Sequence, residues 1–222
     1  SYFYTPISFT LYHLRGFIPN LPAKMKAAVL HAPYNLVVEE TGLSEVNRGD
    51  VLVEVEATGI CGTDLAIYNG RYKVRLPLIL GHETAGNVVK VGNDVKKIQV
   101  GDRVLVNPVF SCGKCYLCMM GRENLCLKGG LLGRDKDGSF AEHLLVPEAL
   151  AFRIPETMPY EEGALTQLLT GVYHGQKRIR ILPSDSVLVI GQGPSGLLHT
   201  RLAKLSGASP VMAAARSRWK LE

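Results

Sequence analysis

Between Lys26 and about Pro147, short apolar or alternating runs recur, among them Lys26-Ala-Ala-Val-Leu30, Val51-Leu-Val-Glu-Val55, Asn87-Val-Val-Lys-Val91 and Arg103-Val-Leu-Val106. Gly, Asn and Asp separate them, and short strands at that spacing predict a β-barrel or sandwich. From Pro159 to about Gln176 the pattern turns helical, opened by a proline and the acidic pair Glu161 and Glu162 that suits a helix N-terminus. After Pro183-Ser-Asp185 comes a wholly apolar run, Val187-Leu-Val-Ile190, which predicts a buried strand. A glycine-rich turn, a helix and a second strand near Pro210–Ala215 follow, the opening of a βαβ unit. The fold class expected is therefore mixed α and β.

The first 24 residues fit neither period. They are aromatic and turn-rich, carry Arg15 and Lys24 but no acid, and are read as an N-terminal extension with Met25 as a candidate natural start. A mitochondrial presequence is the main rival. A secretory signal is disfavoured because Arg15 and two prolines break any apolar core.

Composition narrows the class. Of 222 residues, 46% are hydrophobic and 20% charged, values of a globular chain rather than a disordered or collagenous one. No run reaches the roughly 18 apolar residues of a membrane span, so no membrane partner is expected. The net charge of +5 gathers at the two ends of the chain, which argues against a nucleic-acid-binding face.

Four of the five cysteines, Cys112, Cys115, Cys118 and Cys126, follow C-x2-C-x2-C-x7-C. A loop of that spacing can wrap four thiolates around Zn²⁺, and four ligands close the shell of a structural site. An iron–sulfur cluster and four buried free thiols are the alternatives. Soft ligands crowded in this way point to a reducing, cytoplasmic compartment rather than a disulfide framework. The fifth cysteine, in Gly59-Ile-Cys61-Gly-Thr63-Asp64, and Gly81-His82-Glu83 each follow an apolar run beside glycine. A cysteine and a histidine are two of the three protein ligands a catalytic zinc needs, though taken alone such residues more often serve packing.

The runs GICGTDLAIYNG, LILGHETAGNVVKVGNDVKKIQVGDRV, the four-cysteine loop and VLVIGQGPSGLL resemble the zinc-dependent medium-chain alcohol dehydrogenases, in the polyol and threonine dehydrogenase-like branch. The resemblance spans Met25 to Glu222. It implies a GroES-like β-barrel catalytic domain at 25–155, a connecting helical segment at 156–184, and a partial Rossmann domain at 185–222. It implies Cys61 and His82 as catalytic-zinc ligands, Thr63 as the hydroxyl that bonds the substrate oxygen, and Asp64 and Glu83 as supporting carboxylates, Glu83 being also a candidate to approach the metal itself. The third ligand position falls on Gln167, where polyol-type relatives have Glu, with Glu161 and Glu162 in reserve. Ala66 stands where a relaying histidine is common. The implied activity is hydride transfer between an alcohol, polyol or sugar and NAD(P), through a zinc-bound alkoxide.

Gly191-Gln-Gly193-Pro-Ser-Gly196 follows a strand and opens a helix, the context that makes G-x-G-x-x-G a dinucleotide signal. NAD sites carry an acid about 20 residues on. Here Ala215 holds that place and Arg216, Ser217 and Arg218 follow, which favours NADP over NAD. The chain stops six residues after Arg216, with one strand, one helix and a second strand of a domain that has about six strands. A truncated, catalytically silent zinc-binding fragment is therefore the alternative expectation, and a homo-oligomer is expected only of a full-length parent. A zinc-free quinone reductase is disfavoured by the joint presence of Cys61, His82 and the four-cysteine loop.

Overall fold

The computed structural model describes residues 21–220. The greater part of the predicted extension, residues 1–20, lies outside the described residues. The first strand, β1 (Lys24–Ala32), starts two residues before the run that predicted it and turns back at Pro33-Tyr34 into β2 (Asn35–Gly42). On its other edge β1 pairs with β4 (Leu78–Ile79), giving a sheet of order β2-β1-β4.

The larger sheet is antiparallel. It takes β3 (Asp50–Gly59), β5 (Glu83–Val91), β6 (Arg103–Val106), β9 (His143–Pro147) and β10 (Ala151–Arg153) in the order β10-β6-β5-β3-β9. Alternation decides what it encloses. Val51 and Val53 of β3, Val104 and Val106 of β6, and Leu144 and Val146 of β9 all point to one interior, where they meet Val88 and Leu150. Successive side chains of a strand alternate faces, so period-2 valines on neighbouring strands must share a face, and each contributes roughly 1.5–3 kcal/mol by leaving water. The curled sheet matches the predicted barrel.

A separate lobe grows from this sheet through the paired strands β7 (Val109–Phe110) and β8 (Gly130–Leu131). Between them a short helix, α2 (Tyr116–Met119), and a 3-10 turn (Glu123–Leu125) carry the cysteine loop.

Helix α3 (Tyr160–Ile179) has Pro159 as its N-cap, Glu161 and Glu162 in its first turn and Lys177 and Arg178 in its last. That charge order complements the helix macrodipole. The helix runs three residues beyond the predicted Gln176, because no breaker intervenes before Arg180 turns left-handed at φ 54°. Gly163 and Ala164 let its first turns lie close on Ala85 of β5.

Strand β11 (Val187–Ile190) pairs in parallel with β12 (Val211–Ala214) across helix α4 (Pro194–Leu205). The expectation that β11 is a buried strand is corrected here. Leu188 is 55% exposed and Ile190 82%. Helix α4 packs on both strands and covers one face, while the opposite face has no cover among the described residues.

Candidate functional site

Sheet register brings the first constellation together. In the β3–β5 ladder Gly59 lies opposite Glu83, so the chain leaving β3 towards Cys61 and the chain entering β5 through His82 sit at the same end of the sheet. A side chain at residue 59 would place its Cβ 2.2 Å from Glu83 Oε2, so only glycine lets the carboxylate fold over β3. Gly81 turns into His82 with φ +93°, a conformation that costs glycine little and other residues more.

The ligating atoms of Cys61, His82 and Glu83 lie within 4.8 Å of one another. His82 and Glu83 are buried and Cys61 is half-buried. Zinc bonds sulfur at about 2.3 Å and nitrogen or oxygen at about 2.0–2.2 Å, so tetrahedral donors stand roughly 3.3–3.6 Å apart and this set can close on one ion. The Asp64 carboxylate supports two of the three. Oδ2 accepts the Cys61 N–H at 2.8 Å and Oδ1 accepts the Gly81 N–H at 3.1 Å. Asp64 stands at the third position of helix α1 (Gly62–Tyr68), which starts directly after Cys61. Oδ1 also lies 3.4 Å from His82 Nδ1, a buried nitrogen with no hydrogen bond of ordinary geometry. Thr63, on the first turn of α1, holds its hydroxyl 3.8 Å from Cys61 Sγ.

Gln167 stands half-buried on α3, the helix that packs against the strand carrying Glu83. Glu161 and Glu162 are exposed on its first turn. Among the carboxylates considered in sequence, it is Glu83 that the structure brings to Cys61 and His82.

The second constellation comprises Cys112, Cys115, Cys118 and Cys126, whose sulfurs all lie within 4.8 Å of one another. Cys115 Sγ is 3.5 Å from Cys118 Sγ and 3.9 Å from Cys126 Sγ. Four sulfurs at about 2.3 Å from one zinc stand about 3.8 Å apart, close to these two separations. Backbone N–H groups of Cys112 and Lys128 donate to Cys126 Sγ at 3.2 and 3.4 Å. The N–H groups of Cys118 and then Leu127 pull the Cys115 thiol down to about 6. The N–H groups of Lys114 and Cys115 also lower Cys112. Burial, then the neighbouring sulfurs of Cys115 and Cys126, push Cys118 up to about 11. Such crowded sulfurs cannot all ionise without a cation among them, and a divalent ion supplies what the arrangement asks for.

The glycine-rich turn joins β11 to α4. Gly191 has φ +97°, and its N–H reaches the Ala214 carbonyl at 2.7 Å, so the turn abuts the end of β12. A Cβ on Gly196 would stand 1.8 Å from the Gly191 carbonyl oxygen, whereas one on Gly193 would meet nothing within 4 Å. The first contact packs helix on strand, and the second leaves open the space through which a pyrophosphate approaches such a backbone. Arg216 lies beyond β12 and is exposed.

Several polar residues of these sites escape sequence reasoning. Gln192, only 4% exposed, accepts the Thr200 hydroxyl at 3.3 Å, and Thr200 also bonds the Gly196 carbonyl, bracing the turn from within. Ser139 is fully buried and pairs with Thr58 at 2.7 Å beside the Cys61 loop. Eighty-one residues separate those two hydroxyls in sequence, and no local pattern announces their contact.

Comparison with known proteins supplies the family and the fold. Residues 47–156 match the family model of the alcohol dehydrogenase GroES-like domain. Sorbitol dehydrogenase of Bacillus subtilis (strain 168) is 39% identical over 197 residues, covering 86% of this chain and 56% of the relative. A zinc-binding dehydrogenase of Sinorhizobium meliloti 1021, solved bound to NADP, superposes with TM-score 0.86 at 40% identity, over 90% of this chain and 58% of the other. An alcohol dehydrogenase of Escherichia coli CFT073 complexed with NADH gives TM-score 0.84 at 34% identity, over 90% and 59%. The chain thus spans somewhat more than half the length of the proteins it matches.

Proposed function

Because the chain belongs to the zinc-dependent medium-chain alcohol dehydrogenase family, we propose that this protein transfers a hydride between a small alcohol, polyol or sugar and NAD(P), with NADP preferred. The observation that carries the proposal is the convergence of Cys61, His82 and Glu83 donors within 4.8 Å at one end of the curled sheet. In this reading residues 25–155 form the catalytic domain, 156–184 the connecting segment and 185–222 the start of the nucleotide-binding domain.

Cys61, His82 and Glu83 would hold the catalytic zinc, Gln167 on α3 being the rival third donor that family resemblance offers. The four cysteines from Cys112 to Cys126 would hold a structural zinc. Bound by Cys61, His82 and Glu83, a zinc ion would polarise a substrate oxygen and lower its pKa. The chain's own groups do the rest. Asp64 faces His82 Nδ1 and so leaves the other ring nitrogen to the metal, the usual division of labour in metal-bound imidazole. Thr63 Oγ1, 3.8 Å from Cys61 Sγ, would accept a hydrogen bond from the substrate hydroxyl and hold its proton. The amides that open α4 after Gly193 would take the cofactor pyrophosphate.

NADP is supported by Ala215 at the position that carries an acid in NAD sites, and by the exposed Arg216 next to it, which can pair with a 2′-phosphate. Solved relatives of similar likeness carry NADP in one case and NADH in the other, so the preference rests on these residues.

The test is reduction of NADP or NAD by the zinc-loaded protein over a panel of alcohols, polyols and sugars, followed by nicotinamide absorbance. Turnover with any of them supports the proposal, and none with both metals in place counts against it. One observation favours a second reading, a zinc-binding β-domain without turnover: the uncovered apolar face of β11, where Ile190 is 82% exposed. Micromolar affinity of this chain for NADP would remove that reading.

A further inference from the structure

The stretch from the four-cysteine lobe to residue 140 touches the histidine loop far more closely than a connector needs to. It leaves the lobe through β8, where Gly130 and Leu131 pair with Phe110 and Val109 and the Leu132 N–H donates to the Pro108 carbonyl at 3.0 Å. Asp135 caps the next turn by accepting the Leu131 N–H at 2.8 Å. The chain then runs along residues 79–81, the approach to His82. Asp137 Oδ1 accepts the Ile79 N–H at 3.0 Å, the Gly138 N–H donates to the Ile79 carbonyl at 2.8 Å, and the Ser139 N–H donates to the Gly81 carbonyl at 3.1 Å.

The packing is tighter still. A Cβ on Gly138 would lie 2.1 Å from the Gly81 carbonyl oxygen, and one on Gly133 would lie 2.5 Å from the same oxygen. Two backbone approaches therefore clamp the peptide that precedes His82. Ser139 adds the hydroxyl contact to Thr58, at the end of the strand that leads to Cys61. One segment rooted in the four-cysteine lobe thus bears on both loops that carry metal donors.

We propose that residues 130–140 position His82, with Gly138 and Asp137 as the positioning residues, and that metal in the four-cysteine lobe raises the affinity of the Cys61, His82 and Glu83 cluster for its own metal. The inference deepens the two-zinc reading above and rests on it. The physical cause is linkage. Four thiolates drawn onto one ion order the lobe, ordering fixes β8, and a fixed β8 holds the clamp on Gly81 in the conformation the second metal needs.

Cobalt(II) is the probe, because a four-thiolate site and a site of one thiolate, an imidazole and a carboxylate give different absorption spectra. The full chain, stripped of metal and kept reduced, is titrated and the two spectra are followed separately. The four-thiolate bands are expected to fill first and the mixed-site bands second. In Gly138→Ala the mixed-site affinity should fall about tenfold or more while the four-thiolate site stays within about twofold, the size usual for residues that orient metal ligands. In the Cys115→Ser, Cys118→Ser double variant the mixed-site affinity should fall by a factor of about 5 or more, as for other coupled sites.

If Gly138→Ala does not fold, Asp137→Ala, which alters an exposed side chain but removes the Ile79 acceptor, decides in the same way. Mixed-site affinity unchanged in the folded positioning variant and in the double variant overturns the coupling alone. A wild-type chain that never develops mixed-site bands overturns the two-metal reading and the coupling with it.

Discussion

Asp64 and His82 meet 3.4 Å apart, carboxylate Oδ1 to ring Nδ1, with only 3% and 4% of their side chains exposed. The same carboxylate accepts the backbone N–H groups of Cys61 and Gly81, so one acid spans both loops that carry metal donors. Asp64→Ala should therefore act on both at once. It leaves two backbone donors without their acceptor, at about 1–3 kcal/mol for each that remains buried. It should also lower zinc affinity at the Cys61 site by about 10–100-fold. Competition with a chromophoric chelator reads that affinity, and an unchanged value would mean that the backbone alone holds the two loops.

The third donor can be assigned by comparing two conservative variants. Glu83 lies within 4.8 Å of both Cys61 and His82 donors, whereas Gln167 stands on the helix packed behind β5. Glu83→Gln should reduce bound zinc from two per chain towards one, because a neutral amide replaces a charged oxygen at the metal. Gln167→Ala should leave zinc content near two. Elemental analysis after a chelator wash checks both, and the reverse order of losses would make Gln167 the ligand.

Why sequence could name both clusters, yet not choose that donor, follows from what local spacing encodes. The four cysteines occupy a single loop, so their spacing already limits how far apart their sulfurs can lie. Cys61 and His82 each sit beside a glycine at the end of an apolar run, but it is the family resemblance that marks them as ligands. Their meeting depends on the β3–β5 register, which pairs Gly59 with Glu83, and on Asp64 bridging the two turns. Both are long-range facts. The same holds for Ser139 with Thr58 and for the approach of Gly138 to Gly81. In the opposite direction, the apolar run Val187–Ile190 promised burial on both faces, but burial depends on what packs against a strand, and among the described residues helix α4 covers one side.

Acid stability offers an independent check on the barrel. Glu148, just past β9, accepts the backbone N–H groups of Lys96, Lys97 and Ile98 with one carboxylate oxygen. The Lys97 N–H foremost, opposed next by burial and then joined by the N–H groups of Lys96 and Ile98, holds this carboxyl below the ordinary glutamate value. A carboxyl whose pKa is lower in the folded than in the unfolded state contributes stability above its unfolded value of about 4.3 and loses it as pH falls through the folded value. Glu148→Gln should thus lower the urea midpoint most at neutral pH, with the gap to wild type closing below about pH 4. Both chains lose thiolate ligands to protonation in the same range, so the difference between them is the quantity to follow. A gap that persists unchanged into acid would mean that the negative charge of Glu148 is irrelevant to the loop it closes.

The glycine-rich turn separates a structural from a binding role within three residues. A methyl on Gly196 would collide with the Gly191 carbonyl oxygen at 1.8 Å, so Gly196→Ala must displace α4 from β11 and should lower thermal stability whether or not nucleotide is present. Gly193 has an extended backbone with φ −81° and ψ −175°, and a methyl there would meet no protein atom within 4 Å. Gly193→Ala should accordingly fold with an unaltered melting temperature. If a pyrophosphate occupies that space, the same methyl stands in its way, and NADP affinity should fall about tenfold or more, a loss of about 1.4 kcal/mol or greater. Melting curves with and without NADP, together with a direct titration, distinguish the two variants. A Gly193→Ala chain that binds NADP as tightly as wild type would remove the turn from the nucleotide site, however well its sequence fits the motif.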